Sequence, residues 1–482
     1  METLDSLSTL RVRGGGCAES KMSASDGGPG SGGPGFIQDL NSPSPMIALG
    51  TGISVERAIA LAQKAGALAQ TKRAKDKRRK DSSEWTHFGG PELEQLLLPV
   101  EAHGGEAPVS LLDARALIAL ASDPDGRIVR RQDMPSGAFI DIERLRCMPY
   151  AQGMGLRVIC ISYPWHQPDH PDPSGSTLRL LAKVLQWFVD HSAPGSAFVK
   201  GTYAVFLDFC CLHQKDAFGK RTDSEQALFE MALKGSPCIS ELYSHPHTFL
   251  FKITRMPEGY PQGFHFPERF PDGTICTPNK ASYYERGWCY CESSIGDLVK
   301  DQNMVLDLAA YTGTAKDFSG KRSLNGVIGE CIVRRSPPMS PADFAVALED
   351  KSFTSKKADL DAVNSLYERS HTQRFAKAKW LRFMSLMWGD TEVAVLCRTL
   401  DGANKAVGLN LFRNAITEVG IRALAACLRE GAAPKLKGIN IGENPGAESE
   451  AAVAELKAAR EGLEVWFTAF LPAGTTERLE AL

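Results

Sequence analysis

The chain has 482 residues, enough for roughly two to four domains of ordinary size. Hydrophobic residues make up 43% and charged residues 23%, which is typical of soluble domains and excludes a wholly disordered, fibrous or collagen-like chain. The net charge of −2 argues against a dedicated nucleic-acid-binding protein, because such domains are usually basic.

The N-terminal 48 residues are rich in Gly, Ser and Pro, and such a segment buries too little apolar surface to fold. We therefore predict a disordered tail over residues 1–48. A helical region follows over residues 49–150. It contains a helix over 54–82 that ends in the basic run Lys72–Lys80, and its clearest helix is Leu111–Ala121. The basic run has two interpretations, a nuclear-import signal or the solvated end of a helix.

Residues 151–335 are predicted to form an α/β domain, because short apolar runs alternate with segments of helical spacing. Such alternation is typical of parallel βαβ units in an open sheet. Residues 259–279 are a Pro- and Gly-rich insertion in this domain. The predicted strands are Leu156–Ser162, Tyr203–Phe209, Thr248–Ile253 and Met304–Leu308, and the predicted helices are Thr177–Val189, Ser224–Lys234 and one that starts at Trp288.

Residues 391–470 contain an internal repeat. The hexapeptide Leu409-Asn410-Leu411-Phe412-Arg413-Asn414 recurs 30 residues later as Ile439-Asn440-Ile441-Gly442-Glu443-Asn444. The shared pattern LxLxxN puts two apolar side chains on one face of a strand, and its Asn stands where the chain turns toward a helix. It resembles leucine-rich repeats of the long, ribonuclease-inhibitor-like type. This resemblance implies a surface that binds a protein partner.

About three repeat units are normally needed for independent stability, so this segment is expected to pack on the α/β domain or on a capping helix. Residues 336–390 are assigned to a helical linker or cap, with Ala376–Met387 as the capping helix. The other elements predicted for the repeat segment are helices at Glu392–Leu400, Glu418–Arg429 and Ala447–Arg460 and a last strand at Leu463–Phe467.

No stretch approaches the ~18 consecutive apolar residues of a membrane-spanning helix, and the N-terminus lacks the apolar core of a secretory signal. A cytoplasmic protein without membrane association is therefore expected. The 12 cysteines stand mostly in apolar runs and form no CxxC pair, which favours buried structural thiols over disulfides or a zinc site.

Three polar and aromatic stretches follow apolar runs or begin helices in the predicted α/β domain. Ligands bind beyond the carboxyl ends of the strands in an open α/β sheet, so these stretches are candidates for a ligand site. They are Ser162-Tyr163-Pro164-Trp165, Asp208-Phe209-Cys210-Cys211-Leu212-His213-Gln214 and Arg286-Gly287-Trp288-Cys289-Tyr290-Cys291-Glu292.

Together these stretches resemble the heterokaryon-incompatibility (HET) domain, whose motifs are SY-x-W, ID-x-x-C-I-x-Q and R-x-W-T-x-x-E in this order. Met231 and the pair Leu242-Tyr243 resemble the segment between the second and third motifs. The resemblance implies an open, mostly parallel sheet of the TIR or flavodoxin-like kind, in a signalling or defence protein. The positions that match the three motifs are Ser162, Tyr163, Trp165, Asp208, Cys211, Gln214, Arg286, Trp288 and Glu292.

The third stretch is also similar to TIR domains, in which Trp, Cys and Glu at this spacing begin a helix. In enzymatic TIR domains this Glu cleaves the nicotinamide–ribose bond of NAD, so the resemblance implies NAD as a substrate and no bound cofactor. Nicotinamide leaves as a neutral group, so one carboxylate that stabilises an oxocarbenium-like ribose would suffice. Glu292 is then the candidate catalytic residue, aided by Asp208. The candidates for ligand binding are Ser162, Tyr163, Trp165, Gln214, Arg286 and Trp288, of which the aromatic residues would stack on a ring.

Each of these residues also has a structural interpretation. Trp288 would be a core aromatic, Asp208 would cap a turn or pair with Arg286, and Glu292 in a first helical turn would be favoured by the helix dipole. The domain would then be a non-catalytic interaction or scaffold module, which is the alternative to an NAD-cleaving enzyme. Self-association is a further expectation for either.

Two His-containing stretches are alternatives as metal sites. The segment from His166 to Asp172 contains two imidazoles and two carboxylates, but its prolines prevent one helix face from presenting them. His245 and His247 have no cluster of further ligands nearby in the sequence. We therefore assign no metal. The chain also has no Walker-type phosphate loop, no GxGxxG after a strand, no HExxH and no GxSxG, which argues against the commoner nucleotide-binding and hydrolase classes.

Overall fold

A computed structural model describes residues 85–148, 155–168, 170–190, 203–216, 218–264, 279–316, 320–353 and 356–469, with five positions between 266 and 275 and residue 475. The predicted tail over 1–48, the predicted helix over 54–82 and the basic run Lys72–Lys80 lie outside the described residues. The described residues belong to one compact unit. None of the helices in this part of the chain has the length and apolar character needed to cross a membrane.

The first sheet has five strands in the order β1-β3-β2-β4-β5. β3, β2, β4 and β5 are parallel, and β1 pairs antiparallel with β3. The parallel strands are buried along their whole length, and for this reason they read in the sequence as continuous apolar runs. The predicted α/β class with a mostly parallel sheet is confirmed. The strands are β1 (Leu112–Asp113), β2 (Val158–Ser162), β3 (Ala204–Phe206), β4 (Phe249–Lys252) and β5 (Val305–Asp307).

Helices connect and cover these strands. The apolar stripe that predicts the helix over Thr177–Val189 is buried in the structure, and this helix packs against the helix Ala114–Ala121. The helix predicted over Ser224–Lys234 begins with a capping box between Thr222 and Glu225. The helices are α1 (Pro91–Leu97), α2 (Ala114–Ala121), α3 (Ile142–Arg146), α4 (Ser176–Asp190), α5 (Asp208–Cys211), α6 (Asp223–Lys234), α7 (Ile239–Ser244), α8 (Gly287–Gly296), α9 (Leu324–Cys331), α10 (Pro341–Glu349) and α11 (Lys356–Ser370).

The strand order places a topological switch point at β2. The chain passes from β2 to β3 on one side, and then crosses back to β4 on the other side of β2. At such a point the connections leave the sheet in opposite directions, and this opens a crevice outside the carboxyl ends of the strands. The three sequence stretches singled out above all lie at or near this edge of the sheet.

The region over residues 49–150 differs from its prediction as a separate helical region. Within the predicted helix Leu111–Ala121, Leu112 and Asp113 form β1, and α2 begins only at Ala114. Asp113 caps this helix, because its side chain accepts a hydrogen bond from the Arg115 amide (2.9 Å). Since β1 pairs with β3, the chain before residue 151 contributes to the same sheet as the chain after it.

A second sheet, with four parallel strands in the order β6-β7-β8-β9, contains the repeat. In β7 and β8 the paired residues Leu409 and Ile439 are apolar and buried. The residues just before them, Gly408 and Gly438, also pair with each other and point to the opposite face of the sheet. The helices predicted for this segment are present, and so is the last strand. The elements are β6 (Trp380–Arg382), α12 (Asp390–Thr399), β7 (Gly408–Asn410), α13 (Glu418–Arg429), β8 (Gly438–Asn440), α14 (Glu450–Ala458) and β9 (Glu464–Trp466).

The capping helix predicted over Ala376–Met387 is wrong. The chain instead forms a short π-helix over His371–Phe375 and then β6, which pairs with β7 in parallel. Leu381 and Phe383 alternate as Leu409 and Leu411 do, but Leu386 stands where the repeat has Asn, so the pattern LxLxxN does not detect this unit. The assigned linker over 336–390 therefore contains the first strand of the repeat segment.

The Asn of the repeat connects neighbouring turns of the chain. Asn414 accepts hydrogen bonds from the amides of Leu386 (2.9 Å) and Trp388 (3.1 Å). Its amide nitrogen donates to the carbonyl oxygens of Phe383 (2.8 Å) and Leu411 (2.9 Å). Buried backbone groups need such partners, so one side chain satisfies four groups at the point where no strand continues.

Hydrogen bonds connect the repeat segment to the α/β domain. The indole nitrogen of Trp388 donates to the carbonyl oxygen of Arg335 (2.8 Å), and Trp388 has no exposed surface. Gln302 donates to the carbonyl oxygen of Ser385 (2.7 Å). The repeat segment is thus packed against the α/β domain, as its small number of units predicts.

Candidate functional site

The parallel strands of the first sheet end in polar residues at one edge. Ser162 is the last residue of β2, Lys252 is the last of β4, and Asp307 is the last of β5. Asp208 begins the short helix α5 directly after β3. This edge adjoins the topological switch point, so its polar groups are placed where α/β sheets bind ligands.

Glu292 of α8 is held over the end of β2 by two hydroxyl groups. Ser162 Oγ donates a hydrogen bond to Glu292 Oε2 (2.5 Å), and the hydroxyl of Tyr243 donates to Oε1 (3.1 Å). Because Ser162 donates its proton to Glu292, its oxygen accepts the hydrogen bond from the buried Tyr283 hydroxyl (2.6 Å). In the ionised form, each carboxyl oxygen of Glu292 therefore faces one donor, and Tyr243 shares its proton with the carbonyl oxygen of Ile161 (3.2 Å).

The protonation of Glu292 follows from this environment. Its pKa is raised to about 8, first by burial and then by the neighbouring Asp208 carboxyl, against the hydrogen bonds from Ser162 and Tyr243. At pH 7 only about one in ten such carboxyls is ionised. Perturbed carboxyls of this kind cluster at functional sites, and a carboxyl near neutrality can exchange a proton during a reaction.

A narrow cleft adjoins Glu292. Its cavity volume is about 10 Å³. Trp288 lies one helical turn before Glu292 on the same face of α8, and both residues line the cleft. Described residues of α7, α8 and α11 form its walls: Ile239, Ser240, Tyr243, Trp288, Cys291, Glu292, Ile295 and Leu366. This volume is far below the ~300–1,000 Å³ of drug-sized ligand sites, so the cleft in this conformation holds about one water molecule and no ring.

Asp208 forms a separate group with two of the predicted aromatic residues. The hydroxyl of Tyr163 donates to its Oδ1 (2.8 Å), and the indole nitrogen of Trp165 donates to its Oδ2 (3.1 Å). The Phe209 amide also donates to Oδ1 (2.7 Å) at the start of α5, so three donors hold the Asp208 carboxyl. Burial raises its pKa, and these three hydrogen bonds oppose the shift. Asp208 influences Glu292 through charge, but it is not among the residues that line the cleft.

Arg286 stabilises the backbone and does not pair with Asp208. Its guanidinium donates to the carbonyl oxygens of Trp165 (2.6 Å), Asn279 (2.6 Å) and Ala281 (2.9 Å). Arginine presents several donors in a rigid plane, which suits it to bind several carbonyls at once. It therefore fixes the loop after β2 against the segment that leads into α8, and its predicted contact with a ligand is replaced by these internal ones.

Gln214 has a similar internal role. Its amide nitrogen donates to the carbonyl oxygens of Asp208 and Leu212 (both 3.2 Å), and only 9% of its surface is exposed. The side chain therefore closes the turn after α5. Sequence analysis predicts it as a ligand contact, whereas the structure uses it to hold Asp208 in place.

Two interpretations of α8 change with the structure. Helix α8 begins at Gly287, so Glu292 lies in its second turn and not in the first turn, where the helix dipole would favour it. Gly287 is required by packing, since a Cβ there would lie 1.8 Å from the ring of Phe353. Trp288 is partly buried and lines the cleft, and it is therefore not a fully enclosed core residue.

The His-containing stretches serve packing and capping. His166 lies between the rings of Tyr260 and Phe264. Asp172 accepts hydrogen bonds from the amides of Thr177 (3.1 Å) and Leu178 (2.9 Å) at the start of α4. Within the described residues, no group of three or more His, Cys, Asp or Glu side chains is placed to hold a metal ion.

Sequence reasoning missed three residues of this edge. Tyr243 and Tyr283 supply hydroxyls to the Glu292 network. Tyr243 belongs to the Leu242-Tyr243 pair that resembles the HET family but was not assigned to the site, and Tyr283 stands in none of the motifs. Lys252 is fully buried and donates to Ser293 Oγ (3.3 Å), next to Glu292. The sequence does distinguish Lys252, because a lysine inside the apolar run Thr248–Ile253 is unusual for a buried strand.

Comparison of the chain with known protein families, with curated proteins and with solved structures gave no match. The function must therefore be argued from the geometry of the site itself.

Proposed function

We propose that this chain is a signalling or defence protein whose α/β domain cleaves the nicotinamide–ribose bond of NAD and whose leucine-rich repeats bind a protein partner. The observation that carries the proposal is the position of Glu292. Glu292 lines a cleft between α7, α8 and α11, its carboxyl is oriented by Ser162 at the end of β2 and by Tyr243, and it lies one turn from Trp288.

The proposed reaction uses the charge of Glu292. Breaking the bond leaves positive charge on the ribose, and nicotinamide departs with the electron pair as a neutral molecule. The Glu292 carboxylate stabilises this charge, and water then adds to the ribose to give ADP-ribose and a proton. The nicotinamide ring of NAD is itself cationic, so its approach favours the ionised form of a carboxyl whose pKa is otherwise about 8.

The size of the cleft limits how NAD binds. The cavity volume of about 10 Å³ holds one water molecule, so the nicotinamide ring enters beside the indole of Trp288 only when the side chains that line the cleft move apart. The adenosine half then lies outside the cleft. Tyr163 and Trp165, which orient Asp208, are held away from the ring and act on the reaction only through the position of that carboxyl.

The finer fold assignments support this proposal. The parallel strands follow the order 2-1-3-4 when numbered along the chain, which is the order of flavodoxin-like sheets. In the repeat segment, Arg413 and Glu443 each precede the repeat's Asn and adopt positive φ (57° and 51°). This regular turn after each strand supports a leucine-rich-repeat assignment.

The strand face of the repeat segment suits a protein partner. A Cβ on Gly408 would lie 2.2 Å from the ring of Trp380, and a Cβ on Gly438 would lie 1.8 Å from that of Trp466. Two indoles therefore cover the glycines on the face opposite to the buried Leu and Ile row. Aromatic side chains are enriched in protein interfaces, which favours this face as the contact surface.

The test is incubation of the purified full-length chain with NAD, followed by chromatographic measurement of nicotinamide and ADP-ribose. The Glu292→Gln variant keeps the shape of the side chain and loses its charge. It should release nicotinamide at least about 100-fold more slowly than the wild type. Glu258→Gln, at an exposed site just before the insertion, is the matched control and should leave the rate unchanged. Equal release by wild type and Glu292→Gln, or release by neither, contradicts the proposal.

The second candidate is a non-catalytic interaction module. It is favoured by the internal use of Arg286, Gln214 and Asp208, which hold loops and turns rather than line the cleft. In this case Glu292 is a buried structural acid, and wild-type protein leaves NAD intact. The same incubation therefore separates the two functions.

A further inference from the structure

Two cysteines of the repeat segment lie against each other on neighbouring helices. Cys397 is on α12 and Cys427 is on α13, and these helices pack side by side. The Cys427 thiol donates a hydrogen bond to the carbonyl oxygen of Cys397 (3.6 Å), and each thiol shifts the pKa of the other. The two residues are 30 positions apart in the sequence, so the contact joins successive units of the repeat.

These thiols differ from most other cysteines of the described chain. Both are partly exposed, whereas the others, except for Cys147, are buried. A buried thiol in an apolar core is inert, but an accessible thiolate reacts with oxidants. The pKa of Cys427 is lowered, chiefly because the Cys397 thiol donates to its thiolate. The pair thus has an attacking sulfur, a second sulfur beside it, and access from solvent.

We propose that Cys397 and Cys427 form a reversible disulfide when the protein meets a hydroperoxide. The Cys427 thiolate attacks the peroxide oxygen, the O–O bond breaks, and the products are a sulfenic acid on Cys427 and water or an alcohol. The Cys397 sulfur then attacks the sulfenic sulfur and expels water. With hydrogen peroxide, the two thiols lose two electrons and two protons, and the oxidant becomes two molecules of water. An external dithiol reverses the reaction.

The disulfide would tie the first helix of the repeat segment to the second. Cross-linking restricts the unfolded chain and opposes separation of adjacent units. The strands of the same two units, β6 and β7, already pair, so the bridge adds a second connection on the helical side. Oxidation would therefore stiffen the segment without moving the strand face.

The test uses the full chain, treated with hydrogen peroxide, alkylated and digested for mass spectrometry. A peptide pair linked through Cys397 and Cys427 is expected, with a loss of about 2 Da and of two alkylatable thiols. Dithiothreitol should restore both thiols. The temperature of unfolding should be higher for the oxidised protein than for the reduced one.

Serine variants identify the attacking sulfur. Cys397→Ser should stop at a sulfenic acid on Cys427 that a 1,3-diketone probe traps, and Cys427→Ser should give neither the cross-link nor this adduct. Cys147→Ser, at a partly exposed thiol elsewhere, should behave as wild type. Continued alkylation of both cysteines in peroxide-treated wild type, or their linkage to Cys147 or to a second chain, overturns the proposal. The wild-type result decides this alone if a variant fails to fold.

Discussion

Replacement of Ser162 by Ala is the sharpest test of how the site sets the protonation of Glu292. Ser162 donates the shorter of the two hydrogen bonds to this carboxyl (2.5 Å). Hydrogen bonds to charged groups contribute about 1.5–3 kcal/mol, and about 1.4 kcal/mol corresponds to one unit of pKa. Ser162→Ala should therefore raise the pKa of Glu292 by about one to two units above its value of about 8.

The titration can be followed through the fluorescence of Trp288, which lies one turn from Glu292. The difference between wild type and Glu292→Gln isolates the transition of this carboxyl, and Ser162→Ala should move its midpoint upward. Tyr243→Phe, which removes the longer hydrogen bond (3.1 Å), should give a smaller upward shift. A midpoint for Ser162→Ala at or below that of the wild type would refute the reasoning.

The raised pKa of Glu292 also determines how the free energy of unfolding depends on pH. The unfolded chain releases this proton near the ordinary Glu value of 4.5, whereas the folded chain releases it near 8. Between these values the folded state binds more protons, so the contribution of Glu292 to the free energy of unfolding falls as pH rises and is constant above pH 8. Glu292→Gln, which does not titrate, should lack this part of the pH dependence in denaturant titrations.

Three further predictions concern the scaffold. Arg286→Ala, and also Arg286→Lys, should lower the free energy of unfolding in urea by about 2–4 kcal/mol, because buried carbonyls lose their donors; a wild-type midpoint would rule this role out. Asn414→Ala should lower the free energy of unfolding in the same assay by about 2–4 kcal/mol. Replacement of the exposed Asn404 by Ala is the control and should change it by no more than about 0.5 kcal/mol. Equal effects of the two variants would contradict the account of the repeat turn. Gly438→Ala should cost about 1–3 kcal/mol through its clash with Trp466, and the double variant with Trp466→Ala should recover part of this loss; additive losses would disprove the contact.

The first sheet was predictable from sequence because its strands are buried on both faces. Such strands read as continuous apolar runs, and the runs Leu156–Ser162 and Thr248–Ile253 match β2 and β4 closely. β1 was not predictable, since it has two residues, joins the sheet by pairing with a strand about 90 residues later, and is followed at once by a helix. Only the tertiary pairing distinguishes its residues from the start of that helix.

In the repeat segment, too, some elements could be predicted from the sequence and one could not. Units with the Asn were found by their pattern, whereas the unit that starts with β6 has Leu386 at this position and was mistaken for a helix. Its amide is instead bound by Asn414 of the next unit, so the missing polar group is supplied from a neighbour. Such compensation between units leaves no trace in a motif of one unit.

The candidate site was predicted as a set of residues but not as an arrangement. Of the predicted residues, Ser162 contacts Glu292 and Trp288 lies one turn from it, whereas Asp208, Tyr163 and Trp165 form a separate group outside the cleft. The sequence could not show that Arg286 and Gln214 would turn toward backbone carbonyls, because charge and polarity identify a donor but not its acceptor. Tyr243 was named as part of the family resemblance but not as a site residue, because a motif does not show which carboxyl a tyrosine hydroxyl will contact.

The measurement that tests the central claim most directly is the pH dependence of kcat/KM for release of nicotinamide from NAD. This constant reports the ionisation of the free protein, so with a Glu292 pKa of about 8 it should rise about tenfold from pH 7 to pH 9 and then level off. Glu292→Gln should remain inactive throughout this range. No nicotinamide release at any pH, or release that does not change with pH and persists in Glu292→Gln, would contradict the account.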